Sequence, residues 1–200
     1  MLEEDIPMDE ADLDSMLSVP QKATIDTLSK YTGPVSVLGS GGKMGFHVLQ
    51  MLKHCFAAAG RSDKITAVSR FTDPRQRDLI RDNGFELCAC DLSTQEAYRE
   101  LPEAAQVFYL AGIKFGTKNN PGLLQRMNVT MPQLVAEHYA ASDIVALSTG
   151  CVYDFIAPET GGSTEQSPTD PPGEYAQSCL GREEAFVAGS LQHGTKVCLI

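Results

Sequence analysis

From Pro34 onward, short apolar runs alternate with longer segments whose apolar residues recur every three or four positions. The runs PVSVLGS (34–40), KITAVSR (64–70), FELCACD (85–91), QVFYLAG (106–112), DIVALST (143–149) and TKVCLI (195–200) have strand length. Between the first two, residues 43–60 carry Phe46, Leu49, Leu52 and Phe56 at helical spacing. Residues 73–84 read as a helix with an acidic start and a glycine stop. STQEAYREL (93–101) reads as a short helix, and residues 121–142 as a long one that Pro132 should kink. A stretch rich in Gly, Ser, Thr and Pro spans 154–173, and a further helix opens with GEYAQSCLGREE.

Strand and helix patterns that alternate in this way, with strands apolar almost throughout, predict an α/β fold: a parallel sheet covered by helices on both faces. Residues 34–200 make this domain. Before it, residues 20–33 are expected to add one helix, and residues 1–19 to form an acidic, flexible segment with a short helix near Leu13–Leu17. The chain stops at Ile200 within a strand, so a missing C-terminal part is expected, with a sheet completed by a partner chain as the alternative.

Composition narrows the class. A hydrophobic content of 42% with 21% charged residues is that of a globular domain. The net charge of −10 is concentrated at the start: Glu3, Glu4, Asp5, Asp9, Glu10, Asp12 and Asp14 fall in the first eighteen residues, which hold no Lys or Arg. The body is mildly acidic and offers no basic face for nucleic acid. No apolar run reaches membrane-spanning length, and the acidic N-terminus lacks the charge pattern of a secretion signal, so a cytoplasmic location is expected. There Cys55, Cys88, Cys90, Cys151, Cys179 and Cys198 stay reduced. Cys88 and Cys90, on one side of a strand, lack the partners of a metal site, and no metal is expected.

The first strand runs into Gly39-Ser40-Gly41-Gly42-Lys43-Met44-Gly45, a G-x-x-G-x-x-G pattern between a strand and a helix. In that setting one glycine permits a tight turn, another lets backbone N–H groups approach a pyrophosphate, and the last lets helix pack on strand. A dinucleotide is the expected ligand, with Gly39, Ser40, Gly42, Lys43, Met44 and Gly45 around its phosphates. The second strand ends in Ser69-Arg70, with no carboxylate before Asp73. A hydroxyl and a cation suit a 2′-phosphate better than a free 2′-hydroxyl, so NADP is expected ahead of NAD.

With these motifs the chain resembles the extended short-chain dehydrogenases/reductases of the NAD-dependent epimerase/dehydratase type, from about Val35 to Ile200. GSGGKMG is similar to the cofactor loop of that family. Asp91-Leu92 resembles its Asp-Leu pair, and YLAG (109–112), with Ala111 and Gly112, the strand end beneath the nicotinamide half. Asn128 in RMNVT matches a helix asparagine, LSTGCVYD (147–154) the strand end that carries the catalytic hydroxyl, here Thr149, and Tyr175 the catalytic tyrosine. The resemblance implies a Rossmann-type doubly wound sheet, followed in the family by a substrate domain largely absent here. It implies hydride transfer between a nicotinamide and a carbonyl/alcohol or nucleotide-sugar substrate, and a possible homodimer through the helices carrying Asn128 and Tyr175.

One residue departs from the pattern. The family has Tyr-x-x-x-Lys; this chain has Tyr175-Ala-Gln-Ser-Cys179. A lysine would hold the nicotinamide ribose and depress the tyrosine pKa; Cys179 has neither the reach nor the charge. Lys114, Lys118 and Arg182 are candidate replacement cations, and Cys179 itself a candidate nucleophile or redox sensor. Two functions follow: an oxidoreductase or epimerase working through Thr149 and Tyr175, or a catalytically silent dinucleotide-binding sensor or structural partner.

Overall fold

The computed structural model describes residues 6–116 and 120–200. Its six strands are β1 (Val35–Leu38), β2 (Ile65–Ser69), β3 (Glu86–Ala89), β4 (Gln106–Tyr109), β5 (Asp143–Ala146) and β6 (Val197–Leu199). They form one parallel sheet in the order β3-β2-β1-β4-β5-β6, the doubly wound order of Rossmann-type folds. The described chain divides into two compact units. One holds the residues up to Cys90 with Pro102–Gln106; the other holds Asp91–Leu101 and Val107–Ile200.

In the first unit β1 pairs with β2 and β2 with β3, in parallel register from Val35↔Ile65 and Thr66↔Glu86. β1 is buried at all four positions, as expected of a central strand covered on both faces. Against it lies α3 (Lys43–Ala58), which buries Phe46, Leu49, Leu52, Cys55 and Phe56. α4 (Pro74–Asp82) starts at Asp73, whose side chain accepts the Arg75 N–H, with Pro74 in the first turn where its missing donor costs nothing. Two short helices precede the sheet, α1 (Glu10–Leu17) and α2 (Lys22–Leu28). Asp9 caps α1 through the Asp12 N–H, and two histidines of α3 hold the segment: His47 Nε2 lies 2.7 Å from Asp14 Oδ1, and His54 Nδ1 lies 3.0 Å from the Ser18 carbonyl. Arg61 closes the unit. Its guanidinium lies 3.7 Å from the Phe56 ring centroid and donates to Asp63 and to the Leu28 and Gly33 carbonyls.

In the second unit β5 pairs with β6 in parallel. α7 (Glu174–His193) is a helix of 20 residues, begun at Gly173 and ended by left-handed Gly194. Its Phe186 is fully buried and meets the equally buried Tyr109 edge to face at 5.0 Å. The expected long helix is divided into α5 (Pro121–Gln125), a π-helical turn over Arg126–Thr130, and α6 (Met131–His138). Pro132 has no N–H for the Asn128 carbonyl four residues back, and its ring would crowd that carbonyl. The wider turn therefore falls just before it, where a simple kink was expected. The helix expected over 93–101 is only a 3-10 turn at Glu96–Arg99. The Asp91 side chain ties the chain into a turn through the Ser93 N–H, and Pro102 disfavours helix at the residue before it. No helix among the described residues is long and apolar enough to cross a membrane.

Candidate functional site

In the first unit, the loop after β1 turns back on itself. Gly39 takes φ +88° and donates to the Val68 carbonyl at 2.8 Å; Ser40 N–H reaches the same carbonyl at 3.2 Å. A side chain at Gly39 would strain that backbone. Gly45 is required for a different reason: a Cβ there would stand 2.4 Å from both Cα and O of Ser40. With no side chain, the first turn of α3 lies directly on the loop. Gly42 is the N-cap of α3 and supplies no side-chain hydrogen bond, so the N-terminal amides of a sixteen-residue helix keep donor capacity. Gly42, Lys43 and Met44 are exposed, and Ser40 is buried with its hydroxyl on Val68 O. At a helix end of this kind, backbone N–H groups and the helix dipole can act together on an anion. Ser69 ends β2 half-buried, and Arg70 is exposed with no ion pair to any described residue.

In the second unit, Asp91 is half-buried and already holds the Ser93 N–H at 3.0 Å, while Leu92 is in the core. Ala111 is half-buried and Gly112 exposed beyond β4. Asn128, the helix asparagine of RMNVT, is fully buried in the π turn, where its amide bonds to the chain itself. Its Oδ1 accepts from Ile113 N–H, and its Nδ2 donates to Ile113 O and Ser178 Oγ, each at 2.9 Å. The Ser178 hydroxyl passes on to the Tyr175 carbonyl at 2.7 Å. Asn128 therefore ties the segment after β4 to the first turn of α7. Sequence pattern alone did not point to Ser178.

Thr149 follows β5 and caps the 3-10 turn Gly150–Val152, its hydroxyl accepting from Cys151 N–H at 3.3 Å. Tyr175 is half-buried at the start of α7. Burial, and then the neighbouring thiol of Cys179, push its phenol up to about 12, against the pull of Arg182. The thiol one helical turn on is fully buried. Of the candidate cations, Lys114 Nζ stands over the Tyr175 ring, 5.3 Å from its centroid, at the π face. Lys118 lies outside the described residues. Arg182 is 8% exposed; it donates to Leu147 O at 2.9 Å and brings Nη2 to 3.7 Å from Cys179 Sγ. Ser148, beside Thr149, donates to the Glu183 carboxylate, a link that residue spacing did not reveal. None of the six cysteines is in a disulfide, and the described residues hold no cluster of three or more metal-binding side chains.

No sequence-family profile matches the chain. No curated protein sequence matches it either. Solved structures do match its fold. UDP-glucuronic acid 4-epimerase from Bacillus cereus, in complex with NAD, superposes with a TM-score of 0.67 at 17% identity, over 83% of this chain and 55% of that one. The UDP-Glc/GlcNAc 4-epimerase of Campylobacter jejuni gives 0.69 at 19% identity, over 84% and 52%. A short-chain dehydrogenase/reductase superfamily protein from Agrobacterium tumefaciens with bound NAD gives 0.64 at 18% identity, over 82% and 47%. The chain thus spans about half the length of these structures and shares their Rossmann-type fold.

Proposed function

We propose that the chain is the dinucleotide-binding part of an extended short-chain dehydrogenase/reductase of the epimerase/dehydratase type. The observation that carries this reading is the loop Gly39–Gly45. Its helix N-terminus lacks a side-chain cap, and its last glycine sits where no Cβ fits. The fit to a pyrophosphate is good: Lys43 and Met44 stand exposed beside it, and backbone N–H groups supply the donors. The similarity in fold to nucleotide-sugar epimerases, one of them in complex with NAD, supports a nicotinamide dinucleotide and a nucleotide-sugar substrate. Ser69 and the exposed Arg70 favour NADP, whereas two of the solved structures named above carry NAD. We place the protein in the cytoplasm, where its six thiols persist, and a homodimer through the helices of Asn128 and Tyr175 is compatible with Val187 and Leu191 exposed on α7.

A bound nicotinamide would supply the hydride donor or acceptor. The chain's own part is proton handling and orientation. Thr149 offers its hydroxyl to a substrate oxygen, and Tyr175 gives or takes the proton on that oxygen. A phenol pushed up to about 12 is neutral at physiological pH and so is ready to donate. This suits reduction of a carbonyl better than oxidation of an alcohol, which needs tyrosinate. The same elevation, with no lysine at position 179, favours the second reading, a dinucleotide-binding protein without catalysis.

Fluorescence titration of the purified chain with NADPH and then NADH tests the proposal. Saturable enhancement of nicotinamide emission is expected, and tighter binding of NADPH would assign Arg70 to the 2′-phosphate. Absence of binding by either would overturn the proposal. With binding in hand, loss of turnover in Tyr175→Phe separates the enzyme from the silent sensor.

A further inference from the structure

Arg182 carries its charge into the interior of the second unit without a counter-ion. It is 8% exposed, its Nε has no hydrogen-bond partner, and no described carboxylate lies within ion-pair distance. Its neighbour Glu183 is engaged with Ser148. A guanidinium stays ionised at any ordinary pH, and a buried charge without a partner is costly. Its hydrogen bonds among the described residues go to neutral groups, the Leu147 carbonyl at 2.9 Å and the Cys179 thiol at 3.7 Å.

The direction of that charge is set by α7. Residues 175, 179 and 182 follow one another at four and three positions, so they stack along one face of the helix. Cys179 stands between the other two on this face, and its thiol takes Arg182 Nη2 at 3.7 Å. Room for the guanidinium comes from Gly112, where a Cβ would stand 3.0 Å from Nη2. A lysine at 179 would bring a second cation against the first. Cysteine is small enough to let the guanidinium approach.

We propose that Arg182, acting through Cys179, supplies Tyr175 with the positive charge that a lysine one turn after the tyrosine would otherwise bring. This makes Arg182 a positioning residue for the proton donor, and it rests on the reading of Tyr175 as the acid/base group. The other groups that face Tyr175 are Cys179 on its own helix, Cys151 from the 3-10 turn after β5, and Lys114 over the ring. The two thiols oppose ionisation of Tyr175, whereas Arg182 favours it.

The test reads Tyr175 directly. The protein is labelled with 3-fluorotyrosine, whose more acidic phenol titrates where folded proteins persist, and the Tyr175 resonance among six tyrosines is assigned by its loss in Tyr175→Phe. Arg182→Gln should raise the Tyr175 midpoint by about one pH unit, and Arg182→Lys should keep it near the parent value. An unchanged midpoint in Arg182→Gln overturns the proposal. Since a buried substitution can unfold the chain, a second pair reads the same charge through stability. Cys179→Lys should be less stable than the parent because two cations meet. Cys179→Lys combined with Arg182→Gln should regain stability and restore the parent midpoint. A stable Cys179→Lys, or a double variant no better than the single, contradicts the proposal. These readouts need no cofactor: failed NADPH and NADH titrations with the shifts present would overturn the dinucleotide reading alone.

Discussion

Asn128 and Ile113 exchange two hydrogen bonds, side chain to backbone, each 2.9 Å long. The pair pins the segment that follows β4 to a π turn, and through Ser178 to the helix that carries Tyr175. π turns interrupt α-helices at cost and are frequent at functional sites. Asn128→Ala leaves the part-buried N–H and C=O of Ile113 without these partners. Urea denaturation should show a loss of about 1–3 kcal/mol for each group left unsatisfied. Asn128→Asp keeps the acceptor and loses the donors, and should be no better than Ala.

The two glycines of the loop should respond differently. Gly45→Ala places a methyl 2.4 Å from the Ser40 backbone, and should cost about 1–3 kcal/mol as α3 is forced from the loop. Gly42→Ala meets only Gly39 O, at 3.4 Å, and its φ of −85° suits any residue. Its cost should be well under that of Gly45→Ala by thermal unfolding.

Much of this was legible in the sequence. Apolar runs located all six strands because a strand covered on both faces is apolar almost throughout, as β1 is, with Ser36 its one polar residue. The helix over 43–60 declared itself through Phe46, Leu49, Leu52 and Phe56, all of which are buried. Residues 93–101 misled because a short amphipathic pattern does not reveal that an Asp91 turn and Pro102 leave space for one tight turn. The π turn was invisible: periodicity near 3.6 cannot register one extra residue of winding. Asn128 was identified by position, but its partners come from 15 and 50 residues away. Arg182 was visible as a cation two turns beyond Tyr175; its bend back to Cys179 depends on the missing side chain at Gly112.

Acid stability should depend on Asp63. The Arg61 side-chain hydrogen bond, chiefly, and the Gly33 N–H hold its carboxyl below the usual aspartate value, offset in part by burial. A depressed folded pKa contributes stability above the unfolded value, near ~3.9, and that contribution is lost as pH falls through the folded pKa. Asp63→Asn should lower stability at neutral pH and flatten its decline below about pH 4. A decline as steep as the parent's would contradict the assignment.

At the alkaline end the sign reverses. Tyr175 is raised to about 12 by burial and by Cys179. Its favourable neutral burial is fully present below the unfolded value, near ~10, and is lost as pH rises through the folded value. Tyr175→Phe should therefore unfold at higher pH than the parent in an alkaline titration followed by circular dichroism.

The central claim is that the Gly39–Gly45 loop holds a dinucleotide pyrophosphate. The most direct measurement is the backbone amide spectrum of the 15N-labelled chain during titration with NADP and with NAD. The largest shifts are expected at the amides of Gly39 to Gly45, with their loss in Gly42→Asp. Saturating cofactor that leaves those amides unmoved, or moves a different region instead, would contradict it.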